Sequence, residues 1–114
     1  MMAPETKEML ENAARAAIAA GLPIRWDDTY GWMQDIESMW RPDIIQGDSD
    51  RMGVALEIEH RYRSRGEWID AQAYGSSVDG IRGYGAFVRY TDDRCADMRL
   101  ARLMVADQIG RAMK

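Results

Sequence analysis

From Leu56 to Arg65 the chain alternates residue by residue: Leu56, Ile58, His60 and Tyr62 fall on one side of an extended backbone, and Glu57, Glu59, Arg61, Arg63 and Arg65 on the other. Only a strand has a side-chain period of two, and a strand this polar on one side keeps that side in water. The chain therefore needs a sheet that is covered on one face and wet on the other, a design typical of antiparallel sheets.

Helices must supply the cover. Met98, Ala101, Leu103, Met104, Val105, Ile109 and Ala112 recur at three-and-four spacing and predict a long helix, opened by Asp92-Asp93. Pro4, the early acids Glu5 and Glu8, the apolar positions Leu10, Ala13, Ala14, Ala17 and Ile18, and a closing Gly21 predict another, whose alanine face should pack close to the sheet. Gly47-Asp48-Ser49-Asp50 offers N-cap chemistry for a short third helix through Met52, Val54, Ala55 and Leu56. A hairpin is expected from Ile24–Asp28 and Tyr30–Gln34 around Asp28-Thr29, with Ile36 to Trp40 a further short strand or a loop. Later strand candidates span 67–74 and 83–91, joined by a glycine-bearing connection. The expected architecture is a single α+β domain over 1–114, an antiparallel sheet of about four strands with helices packed on one face, in the order α-β-β-α-β-β-α.

Several function classes are disfavoured at once. Cys95 is the only cysteine, so the chain holds no internal disulfide and no thiolate zinc site, which fits a reducing compartment. Glu8, Glu11 and Arg15 interrupt the alanine-rich run, so neither an export signal nor a membrane span is read there and the expected location is the cytoplasm. Residues 1–50 hold four basic side chains against ten acids, and residues 51–114 eleven against nine. The acidic first half argues against general phosphate binding.

No catalytic or metal site and no cofactor is expected. His60 is the sole histidine, and neither Ser49, Ser76 nor Ser77 lies in a nucleophile-elbow pattern, so a packed, hydrogen-bonded His60 is favoured over a triad member. Asp27-Asp28, Asp48 with Asp50, and Asp92-Asp93 each flank a turn or helix start, where capping explains them better than metal binding. The glycines at 75, 80, 83 and 85 match no phosphate-loop spacing and read as a flexible connection.

Binding by side-chain contact is what remains. Arg61, Tyr62, Arg63 and Arg65 line one strand, and Trp32, Trp40 and Trp68 add aromatic anchors of the kind enriched at protein interfaces. Trp26 completes four tryptophans, too many for one small core, so one or two should lie on a contact surface. A protein partner is expected, a homodimer being one form of it. A small nucleic-acid-associated protein using Arg61, Arg63, Arg65 and Arg82 is the alternative, and a cryptic enzyme built on His60 ranks third.

Trp40-Arg41-Pro42, then Gly47-Asp48-Ser49-Asp50-Arg51-Met52-Gly53-Val54-Ala55-Leu56, and the closing Ala101-Arg102-Leu103 to Ile109-Gly110-Arg111-Ala112-Met113 resemble small tailed-bacteriophage proteins of the NinX-like kind. Asp43-Ile44-Ile45-Gln46 lengthens the stretch after the proline relative to that pattern. The resemblance implies a phage origin and a bacterial host cytoplasm as workplace, with a host, phage or anti-phage defence protein as partner. It carries no catalytic residue across.

Overall fold

A computed structural model describes residues 4–35, 37–65, 68–76, 83–89 and 91–113, with only the backbone described at 61–65, 68–76 and 83. The fold is α+β, and its elements run α1 (Pro4–Ala19), β1 (Arg25–Asp27), β2 (Gly31–Met33), α2 (Gln46–Ala55), β3 (Glu59–Arg65), β4 (Trp68–Ser76), β5 (Gly83–Arg89) and α3 (Arg94–Ala112). Three strands follow α2, each at one of the three candidate stretches, which is one more than the order α-β-β-α-β-β-α allows. They form an antiparallel sheet in the order β3-β4-β5, while β1 and β2 pair apart from it as a separate hairpin. The hairpin is too short to extend a sheet, because its tight turn leaves three residues per strand.

α3 sits at the centre. Asp93 caps it by accepting from the Ala96 backbone N–H at 3.0 Å, as the Asp92-Asp93 pair predicts. Met98, Ala101, Val105 and Ile109 form one buried stripe, and Leu103, Ala106 and Gly110 another on a different side of the same helix. A helix buried on two sides must be packed between layers. α3 lies against β4 and β5 and also carries α1.

α1 therefore packs chiefly on a helix, correcting the expectation that its alanine face meets the sheet. Ala13, Ala14, Ala16 and Ala17 are all essentially inaccessible. The cause is Gly110: a Cβ there would overlap the Asn12 backbone carbonyl. Small side chains on α1 and a missing one on α3 let the backbones approach closely, so dispersion contacts compensate for the small apolar area each alanine buries. α1 then ends in a Schellman turn, with Gly21 at φ 99°, Leu22 N–H donating to Ala17 and Gly21 N–H to Ile18, each at 3.0 Å.

α2 begins one residue earlier than the proposed cap, at Gln46, with Ile45 as N-cap and no side-chain cap bond. Asp48 lies in the first turn instead and is fully buried. It accepts the Arg41 backbone N–H at 2.9 Å and the Arg51 guanidinium at 2.5 Å. It thereby fastens the Trp40-Arg41-Pro42 segment to the helix. α2 ends in a second Schellman turn, Ile58 N–H to Gly53 and Glu57 N–H to Val54, but here the left-handed position is Glu57, at φ 55°. That turn delays the strand to Glu59, three residues later than the alternation suggests. Met39 makes only an isolated bridge to Met33, and Ile36 lies outside the described residues.

Two stability outcomes follow from these backbone positions. Gly110→Ala should destabilise by about 3 kcal/mol, the upper end of overpacking costs, because the clash is with backbone and not with a side chain that can turn away. Glu57→Gly should stabilise by about 1 kcal/mol by removing the Cβ strain of the left-handed conformation. Urea unfolding midpoints measured on both variants check the two signs together.

Candidate functional site

Arg102 gathers one polar cluster. Its side chain is only 8% exposed, projecting from α3 between α2 and β3. One terminal nitrogen donates to Asp50 Oδ1 at 2.7 Å and to Ser49 Oγ at 3.3 Å. The other lies 2.9 Å from His60 Nδ1 and 3.1 Å from Nε2, so the imidazole accepts from the guanidinium and must be neutral to do so. Burial, then the Arg102 charge, hold the His60 pKa below its ordinary value, against the opposing pull of Asp50. Hydrogen bonds from Gln46 and Arg102 lower that of Asp50.

Serine, histidine and a carboxylate thus meet, yet the arrangement is not a nucleophilic relay. The guanidinium stands between Ser49 and His60, and Ser49 has no exposed surface for a substrate to reach. His60 is hydrogen-bonded, as the sequence suggests, but its residue is exposed and not packed inward. The cluster reads as a clamp joining α2, α3 and β3. Among the described residues, no three His, Cys, Asp or Glu side chains converge on a point that would hold a metal ion.

An aromatic recess lies elsewhere, and the hairpin builds it. Asp27 Oδ1 accepts the backbone N–H groups of Thr29 and Tyr30 at 2.8 and 2.9 Å, which closes the turn and lowers its pKa. The resulting register sets Trp26 directly opposite Trp32. Their rings meet edge to face, with centroids 5.2 Å apart and planes at 70°. Trp26 is 47% exposed, its indole N–H donating to Asp28 Oδ1 at 2.9 Å. Trp32, with Glu11, Arg15 and Ile18 of α1, lines a recess of 340 Å³. The Trp32 indole N–H is shielded from solvent and has no hydrogen-bond partner.

Such an orphan costs on the order of 1–3 kcal/mol. Arg15 offers only a long bond to the Gly110 carbonyl, at 3.5 Å. Ile18 and Tyr30 are also exposed, at 45% and 68%.

The strand residues proposed for binding fare differently. Trp40 is 2% exposed and belongs to the core, where its backbone N–H donates to the Trp32 carbonyl at 2.8 Å. The proline turn after it, pinned by Asp48, folds that indole inward, so it is corrected from contact residue to core anchor. Trp32 is half-buried at the recess. The side chains of Arg61, Tyr62, Arg63, Arg65 and Trp68 lie outside the described residues, as do Arg82 and Ser77 altogether. Backbone register aligns Arg61 with Gln72 and Gln72 with Phe87, and Arg63 with Asp70 and Asp70 with Arg89. On β5, Ala86 is buried while Phe87 is 53% exposed, so the Phe87 row belongs to the face away from α3.

Trp26 is one of the four tryptophans of which one or two were expected on a contact surface, but it is not among the residues assigned to binding, and Arg15 and Ile18 are linked to no site in the sequence. For Trp26 the register explains why: Asp27 faces Gly31 across a three-residue turn and so pairs Trp26 with Trp32, whereas a two-residue turn at Asp28-Thr29 would set Trp26 against Gly31. Arg15 and Ile18 reach the recess only through the packing of α1, which no local pattern encodes. No protein-family model, curated protein or solved structure matches the chain.

The clamp makes stability depend on pH in one direction. The unfolded chain's histidine protonates near its ordinary value of about 6.5, above the folded state's value. Stability is therefore complete above that pH and falls as pH drops from it through the lower folded pKa. Denaturant midpoints between pH 7.5 and 5 should decline, and the decline should shrink in His60→Gln.

Proposed function

We propose that this protein is a non-catalytic binding module that grips a partner protein through the exposed Trp26 and the neighbouring recess that Trp32 lines. The observation that carries the reading is the exposed Trp26, 47% accessible, set edge to face on the half-buried Trp32, which also lines a surface concavity with α1. Folded chains place tryptophan inward and pair its N–H when they can. An exposed tryptophan beside exposed Tyr30 and Ile18 has the composition of an interface anchor. The neutralised catalytic candidates point the same way, since Ser49 and His60 are both committed to Arg102.

The resemblance to NinX-like phage proteins supplies the proposed setting: the cytoplasm of an infected bacterium, with a host or defence protein as the partner. No helix among the described residues is long and apolar enough to cross a membrane, which is compatible with that setting. A second reading rests on the β3-β4-β5 face, where the register rows of Arg61 and Arg63 run beside Phe87. Basic residues at register positions aligned with an exposed aromatic suit a single-stranded nucleic acid. The net charge of −4 weighs against it.

The test is affinity capture from nuclease-treated host lysate at rising salt, with the tagged wild-type chain and Trp26→Ala in parallel. A partner retained by the wild type and lost by the variant is the expected result. Equal capture by both removes the recess from the reading. Retention of nucleic acid alone, eluting steeply with salt, would transfer the function to the sheet face.

A further inference from the structure

We infer that the outer edge of β3 is a docking site for an extended acidic segment of a partner protein, which adds beside it as a fourth strand. The site shares no residue with the Trp26 surface and stands on different observations. β3 ends the order β3-β4-β5, and among the described residues no strand lies beyond it. Every second residue of an edge strand turns its N–H and C=O outward, where another extended chain can pair with them. The opposite edge is a poorer template: β5 carries Gly83 and Gly85, and the Gly85 carbonyl already accepts the Gln108 side chain at 3.0 Å.

Register decides which residues share a face. His60 aligns with Ala73 and Ala73 with Ala86, and this row meets α3, since Ala86 is buried and His60 is bonded to Arg102. Arg61, Arg63 and Arg65 are out of step with His60 by odd numbers of residues, which places them on the face of the exposed Phe87, away from α3. Glu59 belongs to that face too, at the start of the strand. On β4, Asp70 aligns with Arg63 on one side and Arg89 on the other, so the acid at that position is matched by two bases. The edge strand itself presents the sequence acid, base, base, base at alternate positions.

That pattern selects the occupant. Residues directly opposite each other in an antiparallel pair interact when they share a face, and like charges there are destabilising. A strand with acids opposite Arg65, Arg63 and Arg61 and a base opposite Glu59 is complementary along the whole of β3. A second copy of β3 is not, because full-length antiparallel pairing of two such strands sets Arg61 against Arg63 twice at the centre. A nucleic acid could use the arginines but has no peptide N–H and C=O with which to continue the ladder. In strand addition the main chain supplies affinity and alternate side chains supply specificity, and β3 offers both.

The experiment titrates the full-length chain at low salt with the synthetic peptide ETETETK, whose glutamates fall opposite Arg65, Arg63 and Arg61 and whose lysine falls opposite Glu59, and with the charge-reversed KTKTKTE. Binding is read from backbone amide hydrogen exchange in NMR spectra. ETETETK should slow exchange at alternate residues of 59–65, and KTKTKTE should not bind. Arg63→Glu should weaken ETETETK about fivefold, and the peptide ETKTETK, with lysine at the position opposite residue 63, should recover that loss on the variant. Trp26→Ala should bind ETETETK as the wild-type chain does, which tells a failure of this edge from a failure of the Trp26 surface. Equal binding of the two first peptides, unprotected β3 amides, indifference to Arg63→Glu, dependence on Trp26, or no binding at about 2 mM peptide overturns the assignment. So does tighter, Arg63-dependent binding of an oligodeoxythymidylate of about 12 nucleotides, which would give the face to nucleic acid.

Discussion

The approach of α1 to α3 at Asn12 and Gly110 is the constraint on which the other layers depend. A glycine inside a long helix costs roughly 1 kcal/mol in helix propensity. Here it brings two backbones together and removes the whole alanine face of α1 from water. The contact is also polar at its margin: Asn12 donates to Asp107 at 2.9 Å, and Asp107 accepts Arg111 at 2.7 Å. A buried hydrogen-bonded pair beside a glycine notch fixes the axial register of the two helices, because any slide strands both polar groups. With α3 fixed from one side, its other surfaces are free to hold the sheet and α2.

Charged groups inside this small core are arranged as fasteners. Asp48 ties the Trp40 turn to α2, Arg102 ties α2 to β3, and Asp97 holds Thr91 by both its backbone N–H and its hydroxyl, at 2.7 and 2.8 Å. Each joins segments whose apolar contacts alone would be few. Buried ion pairs seldom add much net stability, but they penalise every arrangement that leaves one partner behind. The system is not complete, since Arg102 Nε, like the Trp32 indole N–H outside it, is buried without a partner among the described residues.

Sequence reading reached the helices and the alternating strand because periodicity is a local property. The 98–112 repeat, the Gly21 stop, the Asp93 cap and the Asp27 turn all appear in the structure where the residues suggest. It missed where neighbours in space decide. The Gly47-Asp48-Ser49-Asp50 run has the composition of a cap, yet Asp48 is drawn inside the helix by Arg41 and Arg51, which supply better partners than the local backbone. Trp40 and Trp26 are equally aromatic in sequence and lie at opposite extremes of exposure, since only the proline turn and the hairpin register distinguish them. Arg102 falls on the same side of α3 as Met98, Val105 and Ile109, and a charge at that place was the readable sign of a buried cluster.

The union of α1 with α3 also has a temporal meaning. Asn12 and its partner Asp107 are 95 residues apart in the chain. At translation speeds of about 5–20 residues per second, the leading helix waits on the order of 5–20 s before its counterpart has been made. Throughout that interval its alanine stripe has no surface to cover it, and a helix of 16 residues is only marginally stable alone. Long-range contacts of this kind slow folding and defer the pairing until α3 has been made. Between the synthesis of the two helices α1 therefore lacks its main packing partner, and its fate in a crowded cell depends on what shields it until α3 arrives.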